Sequence, residues 1–240
     1  MRIEGDIIDE GDAWLYEWLD EVYTTPNEFR SELANHQGKP LTVWIDSYGG
    51  DTMAASGIYT ALKEHKGGIT VKIDSKAMSA AAIVAMAGDR VLMSPTALMM
   101  VHNPLTKAQG YASDLRKVAD ILDIVKETII NAYQLKTGRT RASISTLMDN
   151  ESYMSAKTAI KEKFADGMLY DDSESKSIEM SFNRSTIINS ADDAVRRITE
   201  HLNMHREEIQ PVLDNMPDLT AQNQHFQSLK IKLSNITGGN

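Results

Sequence analysis

Short apolar runs separated by turn residues dominate the first hundred positions. RIEGDII (2–8), LTVWID (41–46), GITVKID (68–74), DRVLM (89–93) and ALMMVH (97–102) predict strands. Helical spacing fills the gaps. Trp14, Leu15, Trp18, Leu19 and Val22 form a stripe within an interrupted helical segment, 12–36, in which Pro26 marks a new turn and a new helix. Further helices are predicted over 51–65 and over the small-residue stretch from Ser79 to Ala87. Strand and helix alternating over short connections predict an α/β fold with a partly parallel sheet. The strands read as nearly continuous apolar runs, so helices are expected on both sheet faces.

Beyond residue 110 the period changes. Leu115, Val118, Ile121, Leu122, Val125, Ile129 and Tyr133 recur mostly three and four apart, predicting a long helix over 112–136 that Gly138 ends. Its stripe suits packing on its own sheet or, as a projecting arm, on another subunit. A shorter helix fits Ser155–Phe164, with Ser155 as cap. After Asp171 the chain turns polar. The reading is therefore a core domain, 1–172, and a C-terminal extension, 173–240, holding a short strand, a helix and a loosely packed tail.

Composition narrows the function. At 240 residues and 42% hydrophobic the chain has enough material for a sizeable core. A formal charge of −9 argues against a general nucleic-acid partner, which needs a concentrated basic surface. Arg139–Arg141 and Arg196–Arg197 read as solvated faces. With no cysteine there is no disulfide, thiol nucleophile or thiolate metal site. No apolar run approaches the roughly 20 residues that span a bilayer, and the acidic opening has no apolar signal core, so a cleaved secretion signal is not expected.

Three segments have the local form that nucleophilic catalysis needs. In IDSKAMSAAAIVAMAG (73–88) a strand turns into a helix at Ser79 among alanines, exposing a hydroxyl beside helix N-terminal amides that can stabilise an oxyanion. The plainer alternative is that Ser79 only caps that helix. In ALMMVHNP (97–104), His102 stands at a strand end next to the Asn103-Pro104 turn, placed to act as a base or simply to sit in the structure. In SYGG (47–50), Gly49 and Gly50 form a turn between strand and helix that a ligand backbone can approach closely. A nucleotide fingerprint is absent, as is a Walker A motif.

Taken in order and spacing, these segments resemble the Clp-type protease proteolytic subunit, and especially its phage or prophage relatives. SYGG stands for the family's SPGG, KAMSAA (76–81) for its serine segment with Gly88 nine residues on, and MVHNP (100–104) for its M-[IV]-H-x-P. YMSAKTA (153–159) and GMLYD (167–171) match two later motifs. The resemblance spans residues 2–172 and implies a ClpP/crotonase-like fold of repeated β-β-α units with a long projecting handle helix. It implies a serine endopeptidase with Ser79 as nucleophile, His102 as general base and the backbone N–H groups of Gly49 and Ala80 as oxyanion donors. The third member falls on Glu151, with Asp149 as the competing acid; were that segment extended, both carboxylates would point to one side.

The resemblance also implies an extended protein or peptide substrate bound beside the site, and a homo-oligomeric ring of six or seven subunits, stacked face to face through the handle. Neither cofactor nor metal is implied. In phage relatives the substrate is capsid or scaffold protein during head assembly, and the setting is the cytoplasm of a bacterium or an infected cell. Several positions depart from the pattern: Tyr48 replaces a proline, and Ala80 and Ala81 replace methionine and glycine. The chain also starts at the first core strand, without the axial segment of housekeeping members, which leaves an unfoldase ATPase partner open. Two other readings compete: a ring protein without activity that serves capsid assembly, and a crotonase-like enzyme acting on acyl-thioesters.

Overall fold

The computed structural model describes residues 1–36 and 38–171; the extension 173–240, with its expected strand, helix and tail, lies outside the described residues. The chain runs through β1 (Arg2–Ile7), a 3₁₀ turn, α1 (Ala13–Leu19), β2 (Tyr23–Thr24), α2 (Pro26–Ala34), β3 (Leu41–Gly50), α3 (Thr52–Glu64), β4 (Ile69–Met78) and α4 (Ala80–Ala85). It continues through β5 (Arg90–Met93), β6 (Leu98–Val101), α5 (Ala112–Thr137), α6 (Arg141–Asp149), β7 (Ser152–Ser155), α7 (Ala156–Lys161) and β8 (Gly167–Met168). Local chemistry sets most boundaries. The Thr25 hydroxyl caps α2 with Pro26 in its first turn, the Asp51 carboxylate accepts from the Ala54 N–H to start α3, and Gly138, at φ +67°, closes α5.

The main sheet is parallel, in the order β2-β1-β3-β4-β5-β8. β4 serves two partners along one edge. Its residues 70–73 pair with β5, and its residues 76–78 pair with β6, again in parallel. β6 in turn pairs with β7 antiparallel, Val101 opposite Ser152 and Met100 opposite Tyr153. This forked edge carries the chain from the sheet to the region around Ser79.

Among the described residues, helices do not cover both faces of the sheet at β3 and β4. Burial alternates along these strands: Val43, Ile45, Val71 and Ile73 are fully buried, while Thr42, Trp44, Asp46, Thr70, Lys72 and Asp74 are not. The polar residues interleaved in LTVWID and ITVKID give a half-buried period of two, and several of their side chains make ion pairs or cation–π contacts. Arg2 bridges Glu4 and Asp74, Lys76 pairs with Asp46, and Lys72 and Lys76 lie over the rings of Trp44 and Tyr48 at 5.1 and 4.3 Å.

The apolar face meets α3 and α4. Every residue of α4 is buried, and Ala80, Ala81 and Ala82 are completely so. The alanine run is thus explained by depth: larger side chains would hold the helix away from β3 and β4. The SYGG segment also differs from the turn expected of it. It forms the last four residues of β3, with Gly49 and Gly50 at φ +106° and +139° still paired with Asp6 and Ile7 of β1.

The long helix divides in two. From Ile129 onward α5 packs into the core, where Tyr133 is buried edge-on against Phe164 at 5.3 Å between centroids. Its first half stands away from the described part of the chain, leaving Leu115, Ile121 and Ile124 44%, 58% and 64% exposed. Of the two packings open to the stripe, the intrachain one accounts for the C-terminal half alone. Arg139 and Arg141, expected as a solvated face, are partly exposed and pair with Glu162 and Glu127.

Candidate active site

β4 ends at Met78, and the next residue takes a conformation L-residues rarely adopt. Ser79 lies at φ +52°, ψ −121°. The peptide is held there by a bond from the Ser79 N–H to the Met100 carbonyl of β6, at 2.9 Å. Although Ser79 occupies the position before α4, its hydroxyl makes no capping bond. It reaches His102 instead, with Oγ 2.7 Å from Nε2. The capping reading of this serine therefore fails, and an alternative use of the hydroxyl is on view.

His102 follows the last residue of β6 and is half-buried. Burial pushes its imidazole below the ordinary histidine value, because the charged form loses solvation; the carboxylate of Glu151 acts in the opposite sense. Their proximity follows from register. Val101 opposes Ser152 in the last pair of the antiparallel β6–β7 ladder, and His102 and Glu151 are the residues that flank that pair. Glu151 itself sits at φ +46°, with its N–H on the Met148 carbonyl at 3.1 Å, and its Oε1 accepts from the Tyr153 hydroxyl at 3.2 Å.

Asp149 belongs to different surroundings. It is the last residue of α6, not part of an extended segment, so the two acids do not share a side. One carboxylate oxygen accepts from Lys126 Nζ at 2.5 Å and from Asn103 Nδ2 at 2.9 Å; the other accepts from the Ser145 hydroxyl at 3.2 Å. Those donors, Lys126 first, hold its carboxyl below the usual carboxylate range. Asp149 thus braces Asn103, the neighbour of His102, and does not bond the imidazole.

Gly49 crosses directly behind the serine. A Cβ placed there would lie 2.6 Å from the Met78 carbonyl oxygen and 2.8 Å from both Ala80 N and Ser79 Cβ. Only glycine fits, and its backbone comes within contact of the peptide that bears Ser79. Its N–H donates to Ser47 Oγ at 3.0 Å, and that fully buried hydroxyl donates to the Gly5 carbonyl at 2.5 Å. Ala80 is the first residue of α4, where helix amides have no acceptor within the helix. The fold thus sets an imidazole against one hydroxyl, a carboxylate acting on that imidazole, and the Gly49 backbone close behind the serine. Such a set can deprotonate a serine for attack on a carbonyl.

Ser47, Tyr153 and Asn103 were not singled out from sequence as parts of this site. Ser47 opens SYGG and Tyr153 opens YMSAKTA, but only the folded chain shows what their hydroxyls touch. Among the described residues no helix is long and apolar enough to cross a membrane.

A family model described as Clp protease matches residues 31–172. Over 140 residues the chain is 28% identical to the ATP-dependent Clp protease proteolytic subunit of Chlorella vulgaris, covering 58% of this chain and 70% of that protein. The fold is similar to that of a ClpP1 mutant from Listeria monocytogenes, with a TM-score of 0.59 and 19% identity over 70% of this chain and 90% of that one. The parallel α/β fold, the forked sheet edge and the match over more than half its length place the chain in the Clp protease family. It is a serine-type endopeptidase of that family, whose members form oligomeric proteolytic rings acting on proteins and peptides.

Proposed function

We propose that Ser79 is the nucleophile of this endopeptidase, His102 its general base and Glu151 the acid that orients and balances the imidazole. The observation that carries this reading is the 2.7 Å contact between Ser79 Oγ and His102 Nε2, made by a serine that does no capping. His102 takes the hydroxyl proton as Ser79 attacks a peptide carbonyl. The imidazolium then protonates the leaving amine, and water hydrolyses the acyl-enzyme with His102 again as base. Glu151 is preferred to Asp149 because it flanks the last β6–β7 pair beside His102 and its charge acts on that imidazole, whereas Asp149 is engaged by Lys126, Asn103 and Ser145.

The N–H groups of Gly49 and Ala80 are proposed to receive the oxyanion, Gly49 by exchanging its bond to Ser47 Oγ for the developing charge. The peptidase domain is taken as 1–172 and the extension as a separate segment. Subunits form a six- or seven-membered ring whose chamber admits extended protein chains, and two rings stack face to face through the exposed half of α5. The resemblance to phage relatives supports the finer reading of a peptidase that processes capsid or scaffold protein. A fluorophosphonate probe tests the site assignment. Labelling of wild-type protein should map to a peptide carrying modified Ser79 and should fall at least about a hundredfold in rate in His102→Ala; labelling elsewhere, or unaffected by His102→Ala, would overturn it.

A further inference from the structure

Tyr153 lies in a strand facing the site, and its hydroxyl is aimed at a carboxylate where a phenyl ring would suffice for packing. Glu151 is the turn residue immediately before β7, and Tyr153 is the second residue of that strand. The Tyr153 hydroxyl donates to Glu151 Oε1 at 3.2 Å. The backbone on either side of Glu151 is fixed as well: its own N–H bonds the Met148 carbonyl at 3.1 Å, and the Ser152 hydroxyl donates to the Leu147 carbonyl at 2.7 Å. The main chain at 151 is therefore set, in a left-handed conformation at φ +46°. What remains free is the glutamate side chain, with three rotatable bonds between its Cα and its charge. A carboxylate that swings is a poor orienting group, since each alternative rotamer takes it from the imidazole.

We propose that Tyr153 is a positioning residue, its hydroxyl anchoring Oε1 of Glu151 so that the other carboxylate oxygen is presented to His102. The proposal rests on the assignment of Glu151 as the acid. The anchor takes one oxygen and leaves the second for the His102 Nδ1–H, the tautomer in which Nε2 accepts the Ser79 proton. The fold supports such a division. Met100, opposite Tyr153 in the β6–β7 pair, also accepts the Ser79 N–H, so one strand pair ties the serine peptide, the imidazole and the acid with its anchor. A tyrosine here also suits the choice of acid: glutamate has one methylene more than aspartate, and the hydroxyl removes the freedom that methylene adds.

Tyr153→Phe keeps the ring and removes only the donor. A double-mutant cycle with Glu151→Gln, read as the rate of Ser79 acylation by a fluorophosphonate and as kcat and KM on a peptide, separates anchoring from packing. In the wild-type background Tyr153→Phe should lower the acylation rate and kcat about tenfold with KM little changed, the size expected for losing a bond to a charged group. In the Glu151→Gln background it should change the rate less than about twofold. The acid limb of the wild-type pH profile should move to lower pH in Tyr153→Phe, because the carboxylate that raises the imidazole value is no longer held near it. An equal loss in both backgrounds would mean that Tyr153 acts through packing or substrate, and a faster enzyme whose limb moves up would mean that it holds Glu151 away; either overturns the proposal. Glu151→Gln alone gives the separate result: if it leaves acylation unchanged, the acid assignment fails whatever Tyr153 does. Should Tyr153→Phe not fold, Glu151→Asp decides, because the shorter acid withdraws from the hydroxyl. A loss of less than about twofold there would overturn the anchor.

Discussion

Glu151 and Asp149 stand two residues apart with the same charge, yet their surroundings assign them different work. Asp149 is half exposed and spends its oxygens on Lys126, Asn103 and Ser145. Glu151 is half-buried and acts on His102. Glu151→Gln should therefore lower kcat by about two to four orders of magnitude, while Asp149→Asn, which disturbs a partly solvated ion pair, should cost no more than roughly fivefold. The reverse ranking would exchange their roles. The pH profile follows from the same surroundings. The active base is the neutral imidazole, and burial holds His102 below the ordinary histidine value, so the acid limb of kcat/KM should lie at lower pH than that of an ordinary histidine. Removing the opposing charge in Glu151→Gln should lower it further; a limb that rises in that variant would contradict the electrostatic account.

At the scale of elements, legibility tracked length and period. The five apolar runs read as strands are present, and the long helix ends at Gly138 as its stripe predicts. β7 and β8 have four and two residues, too few to show any period, and α6 buries only Ile144 and Met148. Those short elements bear on the acid: spacing back from Tyr153 favours Glu151 over Asp149 in DNESYM, and the register of β7 on β6 supports the same choice. Ser79 and His102 were readable because each sits where an apolar run stops. Coverage of the sheet is harder to read, because Thr42, Trp44 and Asp46 lie within an apolar run yet mark the face that the described residues leave partly exposed.

Gly49 makes the dependence of site on element testable. Its Cβ would meet backbone atoms that cannot yield without moving Ser79 itself, and φ +106° is unfavourable for alanine. Gly49→Ala should reduce kcat by at least about a hundredfold, measured with a peptide substrate. Activity within a few fold of wild type would show that the close crossing is not needed.

For the whole molecule, the remaining question is what covers the first half of α5. Three large apolar side chains, Leu115, Ile121 and Ile124, lie open on one helix, an arrangement that favours a partner surface. If α5 joins subunits, Ile121→Asp with Ile124→Asp should shift the protein from ring-sized to smaller species in light scattering, with protein cleavage falling alongside. An unchanged assembly would remove α5 from the interface.

The central claim is that a serine at the end of β4 cuts peptide bonds. It is tested most directly by following casein cleavage with wild-type and Ser79→Ala protein, both taken from the ring-sized fraction of a sizing column. The account predicts cleavage by the wild type and none above background by Ser79→Ala, with the elution position unchanged. Equal cleavage by the two proteins would contradict it.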